Sequence, residues 1–323
     1  MPEGHSIHRI ARQFARHFEG VPVAVSSPQG RFAAGARQLD GHEIVDAFAV
    51  GKQMFLQFDN QLFLRVHLGL YGAWDFAGNI TVDATTLSAN GRMGQTNQRG
   101  TDLAAYEDSP WSMGAPRRAR LRMSEQEKLE EPVESWPPEP VGQVRVRLLT
   151  PTAVADLRGP TVCEVDTPEQ VQGRLAKLGP DPLVGDPAEN EERFVAAVRK
   201  RNVPIALLLM DQAVVSGIGN VYRAELLFRA RLDPFTPGRE LPEDVLRELW
   251  RDWVHLMRIG VDTGQMLTMD DLSEEDLRKA MASRADRHWV YHRAGEPCRV
   301  CGTPIAVQEL GGRKLYWCPY CQA

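Results

Sequence analysis

Asp211-Gln212-Ala213-Val214-Val215-Ser216-Gly217-Ile218-Gly219-Asn220-Val221-Tyr222-Arg223-Ala224-Glu225 stands between two runs of helical periodicity. Gly217 and Gly219 let backbone approach a ligand closely, and Asn220 sits where an N-cap belongs. A helix that starts there directs backbone N–H groups outward, which suits an anion such as a phosphate. A Gly-x-Gly pair alone is a weak signal, and a glycine turn joining two packed helices reads equally well. Helical spacing of apolar residues continues on both sides, over 191–199 and 204–210 before the segment and over 220–229, 243–263 and 274–283 after it. This half of the chain is expected to be helical.

Upstream, Leu178-Gly179-Pro180-Asp181-Pro182-Leu183 has linker chemistry, because two prolines and a glycine prevent regular structure. Before it the pattern changes to short β-like runs at 21–25, 42–48, 53–58 and 61–67, with a second pair at 144–149 and 152–157. The alternation in 53–58, then Asp59-Asn60 and another apolar run, is a hairpin signal. A helix is expected over 5–18, where Ile7, Ile10, Ala11, Phe14 and Phe18 recur at helical spacing. Short alternating strands with turns predict a β-sandwich or flattened barrel. The stretch 78–142 lacks periodicity and is rich first in Gly, Asn, Thr and Ser, then in basic and then in acidic residues and proline. It is expected to be a long disordered surface insertion. Its Arg117, Arg118, Arg120 and Arg122 read more readily as a solvated run than as a DNA contact.

Downstream, Cys298, Cys301, Cys318 and Cys321 form a C-x2-C-x16-C-x2-C pattern, leaving one further cysteine among the five. That spacing fits a four-thiolate tetrahedral zinc site, structural because no coordination position stays open. One Zn2+ per chain is expected. Between the cysteine pairs, residues 308–317 read as a hairpin with Gly311-Gly312 at its tip. Arg313 would project from that turn, where a guanidinium can clamp a phosphate in bidentate fashion.

The expected architecture is therefore α+β and multidomain. A β-sandwich with flanking helices fills 1–178, a helical domain follows over 179–284, and a zinc-finger β-hairpin closes the chain over 285–323. With 323 residues, 43% hydrophobic and 25% charged, the composition is globular. No apolar run approaches the roughly 20 residues that span a bilayer, and no secretory leader is visible, so no membrane partner and a cytoplasmic location are expected. The net charge of −5 at first sight argues against nucleic acid. Its distribution answers this: 233–276 holds 12 acids against 4 bases, whereas 284–323 holds 6 bases against 3 acids. A local positive face is what binding needs.

The chain begins Met1-Pro2-Glu3-Gly4. Removal of Met1 leaves Pro2 with a free secondary amine, whose α-amino pKa lies near ~8 before perturbation. Such an amine is a nucleophile near neutral pH and can form an iminium with a sugar aldehyde equivalent. Glu3 beside it supplies a carboxyl able to move protons.

Taken together, the Met-Pro-Glu-Gly start, the Gly51-Lys52 placement, the Leu178–Leu183 linker, the 211–225 segment and the terminal finger resemble the formamidopyrimidine-DNA glycosylase and endonuclease VIII family. The similarity covers nearly the whole chain outside 78–142. It implies DNA held between a β-sandwich domain and a helix–two-turn–helix domain, and base excision followed by cleavage of the abasic strand. In that scheme the damaged base leaves the stack. Pro2 attacks C1′, Glu3 protonates the sugar ring oxygen, and β- then δ-elimination follow. The resemblance further assigns Lys52 a catalytic or phosphate contact, Gly219 and Asn220 a DNA contact, and Arg313 the phosphate of the flipped nucleotide. Ser6 stands where similar enzymes commonly carry a second glutamate, which leaves that auxiliary acid unfilled.

In His67-Leu68-Gly69-Leu70-Tyr71-Gly72, Leu70 and Tyr71 look like the residues that the endonuclease VIII branch inserts into the gap left by the flipped base. Core packing is the competing reading for both. On this basis oxidised pyrimidines are favoured over 8-oxoguanine, with a purine-type glycosylase of the same family as the alternative. A non-catalytic zinc-finger DNA binder is the rival from another class. The expected partner is damaged double-stranded DNA, bound by a monomer at the nucleoid.

Overall fold

The computed structural model describes residues 2–80, 119–123, 128–130, 136–269, 272–283 and 286–323. The chain divides into two compact units, Met1–Ala176 and Lys177–Ala323.

The first unit begins with helix α1 (Gly4–His17). Ile7, Ile10, Ala11 and Phe14 form its buried stripe, and the helix packs along β2 (Ile44–Val50) and β3 (Gln53–Phe58). Those strands belong to a four-stranded antiparallel sheet of order β10-β4-β3-β2, with β4 at Phe63–His67 and β10 at Val162–Asp166. A six-stranded sheet of order β1-β8-β9-β5-β6-β7 makes the other layer. Its strands are β1 (Ala24–Ser26), β5 (Ala73–Gly78), β6 (Ala119–Met123), β7 (Lys128–Glu130), β8 (Val144–Leu149) and β9 (Ala153–Arg158). Phe14 joins α1 to this second layer, meeting Trp74 edge-on at 4.8 Å and Phe76 at 5.0 Å. Side chains from α1 and both sheets share one hydrophobic core. Two short helices complete the unit, α2 (Ala33–Leu39) and α3 (Pro168–Leu175), the latter opened by a Thr167/Gln170 capping box.

The expectation of disorder over 78–142 needs correction at two places. Ala119–Met123 and Lys128–Glu130 are strands that extend the sheet outward from β5. The reason is visible in Ala119-Arg120-Leu121-Arg122-Met123, whose strict alternation is a strand pattern inside what reads as a basic run. Residues 81–118, with Arg117 and Arg118, lie outside the described residues.

The second unit carries α4 (Pro187–Arg199), α5 (Ile205–Leu208), α6 (Asn220–Arg229), α7 (Glu243–Thr263) and α8 (Glu274–Ala282), then β11 (Ala306–Leu310) and β12 (Arg313–Trp317). On α7, residues Leu246, Leu249, Trp250, Trp253, Leu256 and Met257 are buried at three- and four-residue spacing. Trp253 meets Tyr222 of α6 at 4.8 Å. The finger is not a detached module: Ala224 and Phe228 of α6 share a core with Ile305, Tyr316, Cys298 and Cys318. Nor is the 178–183 stretch loose. Gly179 N–H donates to the Gln212 carbonyl at 2.8 Å, and Ser216 donates from N–H to Pro180 O and from Oγ to Gly179 O. A Cβ on Gly179 would lie 2.4 Å from the Val214 carbonyl carbon, so only glycine permits that approach.

Candidate active site and metal centre

Pro2 and Glu3 are both buried, Glu3 at 1% exposure, at the mouth of α1. Glu3 is the N-cap by position, with extended backbone, yet its carboxylate makes no capping hydrogen bond. His5 and Ser6 follow in the first turn, 1% and 3% exposed, with Ser6 Oγ 3.1 Å from His5 Nε2. Burial, then the charges of Arg9, His8 and the N-terminal amine, lower the His5 pKa to about 3. His5 is therefore a neutral imidazole at working pH.

Lys52 occupies the two-residue turn between β2 and β3, whose register pairs Val50 with Gln53. Gly51 supplies φ +59°, the left-handed value that a type II′ turn demands at its first central position. Turn lysines are ordinarily solvated, but Lys52 is only 8% exposed. Its ammonium acts on His67 at the end of β4: burial first, then Lys52 and Arg65, lower the His67 pKa.

Immediately after His67 the chain turns through Leu68–Gly72 into β5 of the other sheet. Leu68 is buried, Gly72 N–H donates to its carbonyl at 3.1 Å, and Gly69 takes φ +68°. Leu70 and Tyr71 point away from the core, 48% and 85% exposed. Core packing is thereby excluded for both. Leu70 and Tyr71 thus form an exposed apolar pair on the loop between β4 and β5, with Gly69 and Gly72 flanking it.

In the second unit, Gln212 holds the two-turn segment from inside. Its Oε1 accepts from Gly217 N–H at 3.0 Å and its Nε2 donates to the Ile218 carbonyl at 3.1 Å. Gly217 sits at φ +93°, which no β-substituted residue adopts without strain. The N-cap of α6 is Gly219, not Asn220. Asn220 lies one residue further in, and its side chain is diverted: Nδ2 donates to the Lys314 carbonyl at 2.9 Å and Oδ1 accepts from Arg223. Fully buried Arg223 also donates to the carbonyls of Leu310 and Lys314. These bonds tie the start of α6 to both strands of the finger hairpin.

That hairpin has the expected form. Leu310 pairs with Arg313, and Gly311 and Gly312 take φ +61° and +69°, the two positive values of a type I′ turn. Arg313 is the first residue of β12, half-buried beside the tip. At the other end of the finger the sulfurs of Cys298, Cys301, Cys318 and Cys321 lie within 4.8 Å of one another. Cys298 Sγ is 3.9 Å from Cys321 Sγ, and Cys301 Sγ is 3.4 Å from Cys318 Sγ. Four sulfurs at ~2.3 Å from a central ion in a tetrahedron stand ~3.8 Å apart, so the cluster fits a tetrahedral metal.

Residues 1–131 match the formamidopyrimidine-DNA glycosylase N-terminal domain, 178–271 the formamidopyrimidine-DNA glycosylase H2TH domain, and 295–323 the zinc finger found in FPG and IleRS. Endonuclease 8 1 of Mycobacterium tuberculosis is 39% identical over 322 residues, covering 100% of each chain. This chain belongs to the formamidopyrimidine-DNA glycosylase and endonuclease VIII family. Members are DNA-repair glycosylases with AP lyase activity, acting in base excision repair, and the full-length likeness places it with the endonuclease VIII branch. A formamidopyrimidine-DNA glycosylase of Parasynechococcus marenigrum is 39% identical over 153 residues, 46% of this chain and 51% of that one. Among solved structures, a complex of the Lactococcus lactis Fpg with abasic-site DNA has a TM-score of 0.67 at 17% identity, covering 99% of both chains. The Thermus thermophilus MutM (FPG) protein has a TM-score of 0.64 at 22% identity, covering 99% of this chain and 98% of that one. These two establish the fold.

Within this glycosylase, four polar side chains of the site were not singled out from sequence: His5, Gln212, Arg223 and Glu225. Gln212, Arg223 and Glu225 stand inside the decisive segment, and for the last two a polar residue at a helical core position is the available signal.

Proposed function

We propose that this glycosylase removes oxidised bases from double-stranded DNA, pyrimidines in preference, through a covalent intermediate on the Pro2 nitrogen. The observation that carries the reading is the burial of Glu3, 1% exposed, directly after Pro2 at the start of α1. The Pro2 lone pair attacks C1′ of a nucleotide turned out of the stack, and the C1′–N bond to the base breaks. Glu3 gives its proton to the ring oxygen, which opens the sugar and leaves an iminium between Pro2 and C1′. The iminium acidifies C2′–H. Loss of that proton breaks the C3′–O bond, and a second elimination breaks C5′–O.

Lys52 and Arg313 are each proposed to hold a phosphate of the damaged strand, and the start of α6 at Gly219 and Asn220 another. Leu70 and Tyr71 fill the gap left by the base, and their exposure supports the pyrimidine branch of the family. A zinc ion held by the four cysteines would have no open position, so its contribution is to fold the finger that carries Arg313. The half-length likeness to formamidopyrimidine-DNA glycosylases supports a purine-lesion reading as the alternative.

Oligonucleotides carrying thymine glycol, 8-oxoguanine or an abasic site, incubated side by side with borohydride, test both readings. Fastest excision of thymine glycol with a trapped adduct on Pro2 is expected. Preferential excision of 8-oxoguanine would replace the pyrimidine assignment, and an adduct on a lysine would remove the Pro2 mechanism.

A further inference from the structure

Glu225 lies in the middle of α6 and is 0% exposed. Its carboxylate receives four hydrogen bonds. Oε1 accepts from the backbone N–H groups of Val290 (2.9 Å) and Tyr291 (2.8 Å). Oε2 accepts from Trp289 N–H at 2.8 Å and stands 2.5 Å from Thr268 Oγ1. Residues 289–291 belong to no helix or strand, so their consecutive N–H groups have no ladder to join. One carboxylate gathers all three. Burial pushes the Glu225 pKa up while the four hydrogen bonds pull it back. A carboxylate so completely engaged fixes its partners in one arrangement, because any displacement strands buried polar groups.

What those partners are connected to gives the arrangement its meaning. The 289–291 stretch leads directly into the metal finger. Tyr291 packs edge-on against Tyr316 of β12 at 5.3 Å, on the strand that begins with Arg313. Five and two residues earlier on α6, Asn220 and Arg223 grip the same hairpin at Leu310 and Lys314, the residues bracketing its tip and Arg313. Hydrogen bonds thus tie the finger to α6 at two points, its entry and its hairpin, beside the apolar packing of Ala224 and Phe228.

We propose that Glu225 is a positioning residue for the glycosylase reaction: by fixing the 289–291 backbone to α6 it sets where the finger hairpin, and with it Arg313, stands relative to the start of α6. The Arg313 part rests on the phosphate role given above; the placement of the hairpin does not.

Glu225→Gln keeps shape and volume but replaces one acceptor oxygen with a donor, so one of the three N–H bonds is lost. Glu225→Asp keeps the charge and withdraws it by one methylene. The test uses the full-length, metal-loaded chain, with retained metal confirmed by thiol titration. Amide hydrogen exchange is read across 306–317 and across the sheets of the first unit. In Glu225→Gln, exchange in the hairpin is expected to rise at least about tenfold, with the first unit unchanged. Exchange changes confined to 286–292 would overturn the proposal, whatever the enzyme does. In parallel, single-turnover excision should fall about tenfold or more, with less than about threefold change in affinity for DNA carrying a stable abasic analogue. The ratio of β- to δ-elimination products should shift toward β. Partial return of both readouts in Glu225→Asp is expected. Faster hairpin exchange with an unaltered product ratio would leave hairpin placement standing and refute the role of Arg313.

Discussion

The molecule has two hairpin turns that each present a cation, and they are built in opposite ways. At Gly51-Lys52 the cation is inside the turn and 8% exposed, because α1 packs along β2 and β3 and the sandwich core lies beneath. At Gly311-Gly312 the turn is solvent-exposed and Arg313 follows it, half-buried. The first turn is rigid because a large hydrophobic core makes it so. The second is held from two directions: Leu315 is buried in the helical core of the second unit, with Leu310 and Trp317 packed against that core, while Tyr316 shares a smaller core with the cysteine sulfurs and α6. The comparison teaches that the two proposed phosphate contacts fail for different reasons. The lysine turn is as stable as the core of the first unit, whereas the arginine turn depends on the helical core of the second unit together with a metal site and a few buried hydrogen bonds.

The largest expected effect touches neither turn. Any residue retained before Pro2 converts its amine to a tertiary amide without a usable lone pair. Protein with an uncleaved N-terminal extension is expected to bind damaged DNA while excision and strand cleavage fall to background. Glu3→Gln is expected to lose excision and keep cleavage of abasic sites, where no base need leave. Extended protein with full excision would refute the nucleophile.

Next in size is metal removal. Cys318→Ser takes away a fully buried ligand whose N–H is held by Gln322 Oε1 at 2.9 Å. Because metal binding and folding of such a site are one equilibrium, the finger should unfold and DNA affinity should drop. The first unit should melt as before, since its core draws on none of these residues. A single shared transition that moves with zinc would break the comparison, and DNA affinity unchanged after verified zinc loss would break the role of the finger.

The two cations themselves come third. Each charge-assisted phosphate bond is worth about 1.5–3 kcal/mol, roughly 10- to 150-fold. Lys52→Ala and Arg313→Ala should each lower single-turnover rates within that range and reduce the salt dependence of binding by about one charge. The contrast lies in stability. Lys52→Ala alters a buried turn and should change the melting of the first unit, whereas Arg313→Ala should leave melting unaltered.

Much of this was legible in the sequence, for reasons that can be named. The period of 3.6 in 5–18 and in 243–263 produced α1 and α7 within a residue or so, because each helix buries one face on a single core. Gly311-Gly312 dictated a two-residue turn, and the cysteine spacing dictated the metal cluster. Asn220 misled because a residue with good capping chemistry stands one place after a glycine that does the capping, while its amide reaches a carbonyl 94 residues away. Long-range partners leave no local trace. The same holds for Glu225, whose partners appear only once the backbone of 289–291 is folded against it. Strands β6 and β7 were missed because the arginines of β6 dominated the composition of the window, while each strand spans only a few residues.

The smallest effect sharpens the account of the first unit's rigidity. His5 has an ordinary pKa of 6.5 when unfolded and about 3 when folded, burial being the main cause and Arg9, His8 and the N-terminal amine adding to it. Between these values the unfolded chain binds a proton that the native one refuses. Stability therefore rises with pH across that window and is lost as pH falls below about 6.5. Lowering pH from 7 to 5.5 is expected to remove about 1 kcal/mol through this residue alone, since each pH unit well inside the window is worth about 1.4 kcal/mol. His17 and His67, both lowered by burial first, act in the same direction and steepen the wild-type trend. Urea melts of the first unit at both pH values, for the wild type and for His5→Gln, isolate the term. The variant, with no imidazole to protonate on unfolding, should lose about 1 kcal/mol less than the wild type over the same interval. Equal losses would mean that His5 is as ready to take a proton in the native protein as in the unfolded chain. The burial that shapes the mouth of α1 would then be looser than the core behind Lys52.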